Sequence, residues 1–174
     1  MTAPTVATPD TAVRSARRRF VLVAVAAATV DLVSKTVASR VLAERDVELP
    51  GPLDLSLAYN SGVAFSVGVG VPPWVLIVLA TGIATVVAIA AWRGQLPSAV
   101  AAGLVVGGAA ANVVDRVQAG SVVDMLHTGW WPTFNLADVW ITAGCSLLVL
   151  TELNAARRRD ASSTPTPTRG DGNP

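Results

Sequence analysis

Four long apolar segments alternate with polar ones along the chain: about Phe20 to Ser39, Pro72 to Trp92, Leu96 to Val114, and about Leu136 to Ala156. A hydrocarbon core of ~30 Å needs about 20 helical residues, so each segment is long enough to cross it. The second and third segments contain no charged residue; the first carries Asp31 and Lys35, and the fourth has Asp138 at its start and Glu152 near its end. Small residues crowd the third, which reads GLVVGGAAAN from Gly103 to Asn112. Such residues let helix backbones approach closely where lipid removes any hydrophobic drive between helices. The first inter-span stretch, VELPGPLDLSLAYNSGVAFSVG, breaks the helical pattern. Its Pro50, Gly51 and Pro52 are followed by Leu53, Leu55 and Leu57 at period two, which predicts a short strand or hairpin. The expected class is an all-α membrane protein with four transmembrane helices and a small β-sheet element in the first outer segment.

Composition agrees with that class. The 174 residues are 52% hydrophobic and only 14% charged, against about 25% charged in ordinary soluble domains. The expected organisation is a disordered cytoplasmic tail over 1–13, a four-span domain over 14–159 and a second disordered tail over 160–174.

Charge placement sets the orientation. Of the thirteen Lys and Arg residues, nine fall on one side: Arg14, Arg17, Arg18 and Arg19, then Arg93, then Arg157, Arg158, Arg159 and Arg169. The positive-inside rule puts both termini in the cytoplasm and the stretches 40–71 and 115–135 outside. The stretch ARRRFVLVAVAAAT has the look of a secretory signal, but the apolar run continues past Ala28 to Asp31 and Lys35. A retained signal anchor is the expectation. The single cysteine, Cys145, excludes an intramolecular disulfide, and the single histidine, His127, excludes a multi-histidine zinc site within one chain.

Polar clusters fall on the outer half. Asp31 and Lys35, four apart, share one helix face; a charge roughly 17 Å along a span is costly and faces a bundle interior. They read as a structural ion pair. Asn60-Ser61-Gly62 suits a tight turn. The third segment ends in Asn112, Asp115 and Arg116, followed by Val122-Val123-Asp124; the fourth opens with Phe134-Asn135-Leu136-Ala137-Asp138. Asp124 and Asp138 flank one outer loop, and neither is set in a plainly solvated context. Two carboxylates close together in a low-dielectric site share a proton, so one can activate water while the other protonates a carbonyl oxygen. That chemistry needs no metal and no nucleophilic Ser or Cys.

Taken in order, Asp31-x-x-x-Lys35, Asn60-x-Gly62-x-Ala64-Phe65, Asn112-x-x-Asp115-Arg116, Val122-Val123-Asp124 and Phe134-Asn135-x-Ala137-Asp138 resemble the sequence blocks of bacterial lipoprotein signal peptidases (signal peptidase II). The resemblance spans the first through the fourth segment. It implies an aspartyl endopeptidase of the bacterial inner membrane, without cofactor or metal, whose catalytic dyad is Asp124 and Asp138. It implies that Asn60, Gly62, Asn112, Arg116 and Asn135 bind substrate backbone or orient the dyad, and it leaves Asp115 in a structural role beside Arg116. The implied partners are lipid-modified prolipoproteins and membrane lipid, not nucleic acid, and one catalytic set per chain is compatible with a working monomer. Two departures stand out: Val63 replaces a smaller alanine, and the stretch between Asp124 and Asp138 is shorter than the family's.

Two other classes fit intramembrane acids. A small proton- or cation-coupled transporter would also carry them, but the acids gather on one side instead of lining a path, and inverted repeats are not evident. A structural membrane subunit would use them as helix glue and would tolerate Asp→Asn at either acid apart from stability.

Overall fold

The computed structural model describes residues 9–62 and 72–163. Val63, Ala64 and Phe65 of the second sequence block lie outside them, as do 1–8 and 164–174.

The elements run α1 (Pro9–Val41), β1 (Asp54–Asn60), α2 (Pro73–Trp92), α3 (Ala99–Ala119), β2 (Val122–His127) and α4 (Leu136–Ser163). All four helices contain stretches long and apolar enough to span a bilayer. Two helices reach into the stretches expected to be tails. α1 starts at Pro9, inside the stretch 1–13 read as tail, because proline suits the first helical turn and Asp10 there complements the dipole. α4 likewise continues through 160–163.

α3 is the central helix, packed against α1, α2 and α4. Its glycines are the reason. A methyl group added at Gly103 would meet Phe20 O of α1 at 2.8 Å, and one at Gly107 would strike the Ala24 backbone. On its other side, a methyl at Gly108 would lie 2.6 Å from Ala137 O of α4. Missing side chains at these points bring backbones together, the packing expected of helices in lipid. α1 answers with a buried stripe of Phe20, Ala27, Asp31, Lys35 and Ala38 at near-helical spacing, continued by Leu42 just past its end. α2 lies outermost, with Trp74 and Trp92 exposed at its two ends. Arg17 joins it to α1, donating to Trp92 O at 3.0 Å while its guanidinium stacks on the indole 4.8 Å from the ring centre.

The strand expected between the first two spans is present, and its own segment folds back on it in a single antiparallel bridge, Val47 with Leu55, closed by reciprocal bonds of 2.9 Å. β1 pairs antiparallel with β2, a strand in the second outer segment that the sequence reading left unassigned. Register is Asp54 with His127 and Leu55 with Leu126, then slips by one residue to Ala58 with Asp124 and Asn60 with Val122. Such a bulge re-aims the side chains beyond it. Under the sheet, Leu55, Leu57, Leu126 and Val47 pack on Ala38, Leu42 and Met125, fixing the sheet to the end of α1. A bridge between Leu126 and Phe134 closes the second outer loop, with reciprocal bonds of 2.8 and 3.0 Å.

Candidate active site

That bridge decides the local geometry. It folds the loop back on β2, so the first turn of α4 begins beside the strand that carries Asp124. Asn135 and Asp138 then form a capping box: Asp138 N donates to Asn135 Oδ1 at 3.0 Å, and Asn135 N donates to Asp138 Oδ2 at 3.2 Å. The next free amide of that turn, Ala137 N, donates to Asp31 Oδ1 of α1 at 2.7 Å. Asp31, fully buried, thus caps a helix distant in sequence as well as facing Lys35. No spacing rule within one helix announces that contact.

Three asparagine amides converge on the two acids. Asn135 Nδ2 donates to Asp124 Oδ1 at 2.6 Å, and Asn60 Nδ2 donates to Asp124 Oδ2 at 3.1 Å. Asn112 Nδ2 donates to Asp138 Oδ1 at 3.1 Å. In each case a donor on the amide oxygen fixes the orientation, since an amide offers acceptor and donor on opposite arms. Gly62 N holds Asn60 Oδ1 at 3.0 Å, Asp138 N holds that of Asn135, and Lys35 Nζ holds that of Asn112 at 2.7 Å. Asn60 reaches Asp124 as a diagonal neighbour on one face of the bulged sheet.

The remaining candidates support this centre from outside. Arg116 donates to Gly62 O at 2.9 Å and to Asn112 O at 3.3 Å, tying the turn after β1 to α3. Asp115 points elsewhere: it pairs with Lys35 at 2.9 Å and accepts from Val123 N at 3.4 Å. Lys35 also pairs with Asp31 at 2.6 Å. The structure therefore gathers Asp124, Asp138, Asn60, Asn112 and Asn135 in one network and leaves Asp115 with the buried lysine.

Asp124 is 2% exposed. Burial pushes its carboxyl up to about 6, opposed by the Asn135 hydrogen bond, assisted by the nearby charge of Asp138, and opposed again by Asn60 and Lys35. A carboxyl so placed keeps a proton far nearer to neutrality than a surface aspartate does.

Comparison with known proteins fixes the family. A family model described as signal peptidase (SPase) II matches residues 23–154. The chain belongs to that family. Lipoprotein signal peptidases of Mycobacterium bovis and Mycobacterium avium are each 41% identical to it. The first alignment covers 76% of this chain and 70% of its relative, the second 79% and 81%. The Rhodococcus jostii lipoprotein signal peptidase is 40% identical, over 77% of this chain and 71% of that one. A solved structure described as a bacterial membrane enzyme superposes with a TM-score of 0.68 at 24% identity, covering 84% of this chain and 92% of the other. That likeness shows the fold: four membrane-spanning helices and a small two-stranded sheet.

Proposed function

We propose that this chain is an aspartyl endopeptidase that removes the signal peptide from diacylglyceryl-modified prolipoproteins, cutting before the lipidated cysteine. The family supports the substrate class, since its relatives are named lipoprotein signal peptidases. The mechanism rests chiefly on Asn135, which joins the two acids through one residue: its side-chain nitrogen donates to the Asp124 carboxyl, its backbone nitrogen donates to the Asp138 carboxyl, and its side-chain oxygen accepts from the Asp138 backbone N–H. The ionised carboxylate of the pair takes a proton from water as its oxygen attacks the scissile carbonyl carbon. The protonated partner gives its proton to the carbonyl oxygen. Collapse of the resulting diol passes a proton to the leaving amine, releasing the signal peptide acid and a free amino-terminal cysteine. The raised Asp124 carboxyl suits the proton-donor half of that cycle. Asn60, Asn112 and Asn135 orient the pair, and Arg116 and Gly62 hold the Asn60 turn. Both chain termini lie in the cytoplasm, the site sits near the outer face beside the lipid-anchored cleavage point, and the working unit is a monomer. Residues 14–159 form the peptidase domain.

The test is cleavage of a lipid-modified precursor by the purified full chain in detergent, with a chelator present. Asp124→Asn and Asp138→Asn should each abolish cleavage while remaining folded. Asp138→Asn is especially informative because an asparagine oxygen can still accept from Asn135 N and preserve the capping box. Unimpaired cutting by either folded variant would remove it from the dyad. If Asp115→Asn alone is dead, the partner of Asp138 has been misassigned.

A further inference from the structure

Among the three amides that hold the dyad, Asn112 is held differently. Asn60 and Asn135 have their oxygens fixed by backbone N–H groups of their own turns. Asn112 lies inside α3, where neighbouring backbone amides are committed to the helix ladder. Its oxygen needs a donor from another element, and Lys35 of α1 supplies it at 2.7 Å.

We propose that Lys35 is a positioning residue for the hydrolytic pair, acting through Asn112 on Asp138; this rests on the peptidase reading above. Three oxygens surround Lys35 Nζ: Asp31 Oδ2 at 2.6 Å, Asn112 Oδ1 at 2.7 Å and Asp115 Oδ2 at 2.9 Å. An ammonium has three N–H donors and no acceptor, so it can hold Asn112 only by the oxygen. The amide nitrogen must then face Asp138 Oδ1, which it meets at 3.1 Å. A flipped amide would set its oxygen against the Asp138 carboxylate. A helix-pinning ion pair would be complete with Asp31 alone, one turn away on the same helix. The two further ligands reach toward both acids: Asn112 toward Asp138, and Asp115 toward the backbone of Val123, next to Asp124. Lys35 is 2% exposed, so the arrangement is held in a medium where an unpaired partner is costly.

The discriminating experiment is a double-mutant cycle on the full chain in detergent, with a diacylglyceryl-modified precursor as substrate. Its members are wild type, the charge-balanced Asp31→Asn/Lys35→Met, Asn112→Ala, and their combination, each checked for folding. Misplacement of Asp138 should lower kcat by about 100-fold in each, leave KM within about twofold, and make the combination no worse than Asn112→Ala. Wild-type kcat in folded Asp31→Asn/Lys35→Met, or losses that multiply in the combination, would overturn the proposal. If the methionine variant does not fold, Asp31→Asn/Lys35→Gln keeps an N–H donor beside Asn112. It should turn over faster than Asn112→Ala, and turnover at or below that level is the contrary result. A folded wild-type chain that never cuts is a different failure, because it removes the peptidase reading itself.

Discussion

Asp124 stays protonated to about pH 6 in the folded chain, against 3.8 for an unperturbed aspartate. The folded state thus binds more protons than the unfolded one across that interval, and stability falls as pH rises through it. The stabilisation is complete below about pH 4 and gone above about pH 6; two pK units correspond to about 3 kcal/mol. Apparent Tm in detergent should therefore decline between pH 4.5 and 7 by a component that Asp124→Asn lacks. Parallel slopes for the two proteins would mean that Asp124 is not the titrating group. At this scale the sequence exposed the residue types but not their partners. Asp138 was legible as a helix-start acid because it opens the fourth apolar segment. Asp31 as the cap of Ala137 was not, since the two residues are far apart in the chain.

At the scale of elements, the glycines of α3 divide into those that seat α1 and one that seats the first turn of α4. Gly108 meets the carbonyl of Ala137, immediately before Asp138. Gly108→Ala should cost about 1–3 kcal/mol by overpacking and also lower turnover, because the turn carrying Asp138 has to move. Gly103→Ala, which presses on Phe20 and Val23, should cost a similar amount of stability while the folded fraction keeps its turnover. Thermal unfolding and turnover of the two variants, measured side by side, check the distinction; unimpaired turnover in a destabilised Gly108→Ala would detach this contact from function. The helices themselves were legible as apolar runs. The strand β2 was not, because six residues bounded by a helix end and a loop give too short a period-two signal, and its pairing with β1 crosses two intervening helices.

For the whole molecule, an even number of spans places the ends of α1 and α4 on one side and both sheet strands on the other. The basic residues gather with the helix ends, and the Arg17–Trp92 stack joins α1 and α2 there. The expected orientation puts that side in the cytoplasm. In a Cys145→Ser background, Glu44→Cys should react with a membrane-impermeant thiol reagent on intact spheroplasts, and Gln95→Cys should react only after lysis. The reverse pattern would invert the topology and move the site to the cytoplasmic face. Trp130 and Trp131, packed edge to face at 5.4 Å in the second outer loop, suit the headgroup layer on the site's side.

The amino-acid sequence by itself determined the membrane class, the four spans, the strand after the first span and the polar residues that form the network. Those properties depend on local composition and on periods of two or 3.6 residues, which a linear chain displays directly. Only the tertiary structure decided that β1 takes β2 as its main partner, that Asp31 caps α4, that Lys35 sets the direction of Asn112, and that Asp115 turns away from the acids. Each of these is a contact between segments remote in the chain. It is fixed by how closely α3 lets α1 and α4 approach and by the Leu126–Phe134 bridge, neither of which has a period to read.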